Sequence, residues 1–160
     1  KILKMEKFLE NMLEAEKNIQ IADHMTYVTF PLIKDKRLLL KILQEIKNAV
    51  VHCISSILQY DYLYKKIDLY KDSKENFRVF IEKCASNYEI TKEELGLITE
   101  LFDVVEKHRQ SPFEFVKGDK LVILSNGLKP RTLSIEKTKE FLILGKSILK
   151  KTRERFRKNT

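Results

Sequence analysis

The string Lys47-Asn48-Ala49-Val50-Val51-His52 brings an ammonium, an amide and an imidazole within one short stretch. An imidazole is the side chain suited to giving and taking a proton near neutral pH. Spacing limits what these groups do together. On a regular helix, residues five apart point about 140° away from each other, so only Asn48 and His52 share a face. Lys47 and His52 then cooperate only through a kink or across a second subunit. The surrounding residues are the most apolar of the chain, and a histidine among them is expected to be a core residue held neutral by burial. Asp23-His24 pairs two metal-ligating types, but no third ligand follows at metal spacing. His108 falls near a helix end, where a protonated imidazole complements the helix dipole. Strings of the GxGxxG, P-loop, HExxH and GxSxG types are absent. Cys53 and Cys84 lie among apolar residues without a CxxC, and both are expected to be reduced core thiols. The sequence implies no cofactor and no metal.

Charge is the second chemical signal. The 160 residues carry a formal net charge of +8. Six cations, Lys150, Lys151, Arg153, Arg155, Arg157 and Lys158, stand against the single acid Glu154 in the last helical turns. Such a cluster suits a polyanion, whether nucleic acid or another anionic surface. Two structural roles compete. Cations at a helix C-terminus complement its dipole by ~0.3–1 kcal/mol. Long basic side chains also flank a buried stripe, stems packed and heads in water. Lys117, Lys120, Lys129 and Arg131 would extend the patch if the fold brings them to it. Tyr60, Tyr62 and Tyr64 alternate instead of lining one helix face, so they are expected to seal the end of a core, not to stack bases.

The Lys47-to-His52 string resembles the signature of HEPN domains, small and often dimeric helical bundles. That signature has an arginine, commonly followed by a polar residue such as Asn, with a histidine shortly after. The resemblance implies a metal-independent ribonuclease site built across a dimer. Lys47 would hold the scissile phosphate, with Asn48 beside it, and His52 would move the proton at the 2′-hydroxyl or the leaving oxygen. Lysine in the arginine's place keeps the charge but loses the planar two-pronged grip. The motif also lies earlier here than in many members. The strings Ala22-Asp23-His24-Met25-Thr26, Pro31-Leu32 and Ser111-Pro112-Phe113-Glu114-Phe115-Val116 look like helical proteins of archaea with no known activity. That likeness speaks to fold and not to chemistry.

The elements that must position these groups are mostly helices. Only four Gly and three Pro occur, too few for the tight turns of a sandwich or barrel. Ile2, Met5, Phe8, Leu9, Met12, Leu13 and Ile19 recur at helical steps, which puts them on one face, and predict a first helix over 2–22. The β-branched and aromatic stretch Thr26 to Pro31 reads as an extended connector, because proline pushes Phe30 away from helical geometry. Asp35 is expected to cap a long second helix reaching about Ile67, apolar on nearly every side and therefore wrapped by other helices or by a second copy. Asp72 or Ser73 caps a third helix. Thr91 and Glu94 form a capping box for a fourth, which Ser111-Pro112 ends. Phe113 to Leu124 reads as a hairpin turning near Gly118, Asn126-Gly127 as a second turn, and Arg131-Thr132-Leu133 as a short third strand. Ser134 caps the last helix.

These readings converge on one mostly α domain over 1–160. It is an antiparallel bundle of about five helices, with a long central helix and a small β-hairpin before the last helix (hairpin region about 113–133, basic helix end 150–158). No apolar run approaches the length of a bilayer span, and no signal peptide is recognisable at the start. Met5 is one candidate for the natural start and an upstream residue is another. A cytoplasmic protein without a membrane partner is expected. Its leading expected role is a non-enzymatic, homodimeric binder of RNA, a ribonucleoprotein or another polyanion. The alternatives are the HEPN-type ribonuclease and an antitoxin-like module for a protein partner.

Overall fold

The computed structural model describes residues 2–110, 113–124 and 130–159. It is a mostly α, antiparallel bundle with a small antiparallel sheet before the last helix. Helix α1 spans Ile2–His24 and runs through a π turn, Met25–Thr29, into the short α2, Phe30–Ile33. The long α3 covers Leu38–Leu63. Helix α4, Ser73–Val79, continues through a second π turn, Phe80–Cys84, and a 3-10 turn, Ala85–Tyr88. Helix α5 covers Lys92–Gln110, and α6 covers Ile135–Lys158. Between them lie β1 (Phe113–Lys117), β2 (Lys120–Leu124) and β3 (Arg131–Leu133), in the order β1-β2-β3.

Several boundaries follow from local chemistry. Asp72 accepts the Lys74 N–H at 3.0 Å and opens α4. Thr91 Oγ1 accepts from Glu94 N–H at 3.1 Å while Glu94 returns the bond to Thr91 N–H at 3.0 Å, closing the capping box. Ser134 Oγ accepts from Lys137 N–H at 3.1 Å and opens α6. The hairpin turns at Gly118, whose φ of +62° suits a residue without Cβ. Asp35, expected as the cap of α3, instead accepts from Arg37 N–H at 2.9 Å in the turn before the helix, whose N-cap is Arg37 with no side-chain bond. Ser111-Pro112, Asn126-Gly127 and Lys129 lie outside the described residues.

Four expectations are corrected. Thr26 to Pro31 is helical, not extended. The π turn carries the chain past Pro31, which sits at the first positions of α2, where its missing N–H costs little. Helix α3 stops at Leu63 and not at Ile67, because Lys65 takes a left-handed conformation (φ 60°). The Lys66 N–H then bonds Asp61 O at 2.9 Å, and Lys65 N–H bonds Tyr62 O at 3.0 Å, the two bonds of a Schellman end. On α1 the inward face is Phe8, Met12, Ala15, Ile19 and Ala22, whereas Leu9 and Leu13 face outward at 50% and 59% exposure. Small Ala15 and Ala22 let α1 press close to α3, and that contact turns the two leucines away. Finally, α3 is not wrapped all round. Leu39, Ile42, Leu43, Ile46, Val50, Cys53 and Ile57 are buried, but Lys41, Gln44, Asn48 and Val51 form an open stripe.

Cross-links give the helix directions. Asn18 donates to Glu45 at 3.0 Å and Ser56 to Phe8 O at 2.8 Å, so α1 and α3 are antiparallel. Gly145 sits against Ile46 and Ile19, and Phe156 stacks on Tyr60 with ring centroids 4.4 Å apart, so α6 runs parallel to α3 and antiparallel to α1. Glu94 meets Lys151 while Glu100 meets Lys137, so α5 opposes α6. One pole of the bundle therefore collects the start of α1, the end of α3, the start of α5 and the end of α6. The hairpin sits at the other pole.

Candidate nucleic-acid interface

Helix α3 is unbroken from Leu38 to Leu63, so no kink turns Lys47 toward His52. His52 is half-buried and its Nδ1 lies 2.9 Å from Asn11 Oδ1 on α1. Lys47 is half-buried and Asn48 exposed. Within one chain the three residues do not converge, and His52 has a structural partner that ties two helices.

The other reactive types are similarly occupied. Asp23 is paired with Lys146. His108 Nδ1 lies 2.9 Å from Glu114, where it links α5 to β1. Cys53 and Cys84 are free and buried. Burial pushes the Cys53 thiol up to about 12 and raises Cys84 further. At the end of α3, the Tyr88 hydroxyl donates to buried Asp61 at 2.9 Å. Burial first, and the Asp61 charge second, hold that hydroxyl far above its ordinary value. None of these groups is poised as a nucleophile.

The basic end of α6 divides into cations used inside the bundle and cations turned outward. Lys151 Nζ reaches Glu94 at 2.5 Å and the Glu89 carbonyl at 2.8 Å. Arg153 reaches Glu16 at 2.5 Å. These two act as clamps, from α6 to α5 and to α1. Arg155 lies over the Tyr88 ring, 6.0 Å from its centroid, a cation–π geometry. Lys150, Arg157 and Lys158 are exposed, with Lys150 4.0 Å from Glu154.

Among the described residues, the hairpin cations do not extend this patch. Arg131 is held by Asp103 and Glu100 at the opposite pole. Ile135 and Lys150 are separated by about 22 Å of helix. Lys117 and Lys120 are exposed there, beyond reach of the α6 end.

Sequence order hid what does join the patch. Tyr60 is sandwiched between Phe156 and Tyr64, at 4.4 and 4.7 Å between centroids, and Phe8 meets both Tyr60 and Phe156 edge-on at 5.1 Å. This aromatic cluster seals the pole, as expected for Tyr60, whereas Tyr62 and Tyr64, expected to join it in the core, are exposed at 37% and 52%. It also fixes the end of α3, with exposed Lys65 and Lys66, and the start of α1, with exposed Lys7, beside the end of α6. Cations from three helices thus share one pole. No metal-binding group of three or more His, Cys, Asp or Glu is present among the described residues. No helix among them is long and apolar enough to cross a membrane. The chain matches no protein-family model and no curated protein.

Proposed function

We propose that this protein is a non-enzymatic RNA-binding module that docks phosphates on the pole where α3 and α6 end. The observation that carries this reading is the aromatic cluster of Phe8, Tyr60 and Phe156, which gathers Lys7, Lys65, Lys66, Arg155, Arg157 and Lys158 at one end of the bundle. Unpaired RNA neutralised by lysine and arginine loses affinity as salt rises, because bound counterions are released on association. Binding of a labelled RNA, followed by anisotropy over a salt series, tests it. Arg155→Glu with Lys158→Glu should abolish binding, with helix content followed beside it by circular dichroism. Salt-insensitive binding, or none at low salt, refutes the reading.

A second reading, an antitoxin-like module for a protein partner, is favoured by a groove of about 470 Å³ between α3, α4 and α5. Val51, Ile54, Leu58, Phe77 and Phe102 line it, the chemistry that receives an amphipathic helix. It predicts a stable complex that Phe77→Glu breaks while RNA affinity is unchanged. A homodimer would use the open stripe of α3 or the outward leucines of α1. Light scattering on the eluting protein gives the mass that decides it.

A further inference from the structure

Beside the end of α3, the chain leaves a cleft of about 570 Å³, walled by Tyr62, Lys65, Lys66 and Asp68 from one side and Lys83 from the other. Lys83 belongs to the π turn Phe80–Cys84, so two separate segments supply the cations. No carboxylate among the described residues lies within ion-pair distance of Lys65, Lys66 or Lys83. All three are exposed. In Lys137, Lys146, Lys151 and Arg153 the structure shows the other habit, each cation committed to an acid. Three uncommitted lysines against one aspartate leave the cleft cationic.

A second, smaller hollow lies at the α6 end. Asn87 Nδ2 bonds the Lys83 carbonyl one turn on, at 3.4 Å. Asn87 and Tyr88 in turn border a small hollow with Arg155 and Lys158. Glu89 and Glu154 edge that hollow. Lys83 of the cleft and Asn87 of the hollow lie one turn apart on the same segment.

Resting on the RNA-binding reading above, we infer that this cleft is the site for an unpaired nucleotide, and that the RNA bound is single-stranded where it crosses the pole. A concavity of this size lies within the ~300–1,000 Å³ of small-ligand sites. It admits one base and its phosphate. A duplex, which presents a broad convex surface, cannot enter it. The lysines neutralise the phosphate, and the Tyr62 ring forms a wall on which a base stacks, the pairing of groups that single-stranded sites use.

Two variant sets on the full chain, each checked for an unchanged melting temperature, test the inference with a short single-stranded RNA and its duplex. Lys65→Gln with Lys66→Gln and Lys83→Gln should weaken single-strand binding about tenfold or more and flatten its log–log salt slope by roughly two, at ~0.7 per phosphate contact. Duplex binding, held by the other cations of the pole, should fall by a much smaller factor. Tyr62→Ala should weaken single-strand binding and Tyr62→Phe should restore it. If the lysine variant binds like the parent while Arg155→Glu with Lys158→Glu does not, the cleft is overturned and the RNA-binding reading stands. Equal losses for duplex and single strand overturn the unpaired-nucleotide site. A parent that binds neither probe overturns both.

Discussion

His52 is the residue whose surroundings decide most. A general acid or base must lie within hydrogen-bond reach of the proton it moves, and phosphate cleavage gains from a cation at the same phosphate. His52 instead faces Asn11 on α1 at 2.9 Å, while Lys47 points around the helix. The expected result for His52→Ala is unchanged RNA cleavage in EDTA, at the background of the parent, with stability lower by about 1 kcal/mol from the lost hydrogen bond. Cleavage by the parent that the variant lacks would restore the HEPN-type ribonuclease. Glu94 is the second informative residue. Burial tends to raise its carboxyl, but hydrogen bonds from Lys151 and Ser147, and from the Thr91 backbone, outweigh burial and hold it below its ordinary value. A carboxyl depressed by folding stabilises the fold above the unfolded-state value and loses that contribution as pH falls through the folded one. Lys151→Met should therefore lower the melting temperature at neutral pH, and its deficit should shrink under acid. A deficit that is constant with pH would assign Lys151 to packing alone.

Among the elements, the close crossing of α1, α3 and α6 at Gly145 makes the sharpest stability claim. A Cβ there would lie 2.8 Å from Ile19 Cδ1 and 3.3 Å from Ile46 Cγ2. Gly145→Ala gains helix propensity, but it must displace both isoleucines. The net expected loss is about 1–2 kcal/mol, read as a lower denaturation midpoint. Other element features were legible in advance because their causes are local. Asp72, the Thr91/Glu94 pair and Ser134 each cap a helix within three residues of themselves, and the hairpin follows from two apolar runs on either side of the turn at Gly118. The π turns at Met25–Thr29 and Phe80–Cys84 were not legible, since no residue type marks them and tertiary packing sets their width. Neither was the end of α3, where a lysine holds the position that glycine usually marks.

Over the whole molecule, the same contrast separates what the candidate interface shows in sequence from what it hides. The run from Lys150 to Lys158 is plain to read, yet Glu16 and Glu94, which take Arg153 and Lys151, come from distant helices. Charge reversal at Arg153 should therefore destabilise the bundle, whereas reversal at exposed Lys158 should spare the fold and weaken RNA binding. Circular dichroism melts beside the anisotropy titration separate the two effects, and matching melts for both variants would contradict this division. Lys65 and Lys83 lie on different segments and meet only at the cleft that the fold forms between them.

Lys34, Lys65 and Glu89 all hold left-handed backbone angles at helix ends, at φ of 57°, 60° and 57°. A side chain there sits in a sparsely favoured region, and glycine would relieve it. Lys65→Gly should accordingly make the chain harder to melt, while its grip on RNA slackens. If both hold, the lysine is a deliberate inefficiency: a looser resting fold retained so that the terminus of a long helix can present a charge.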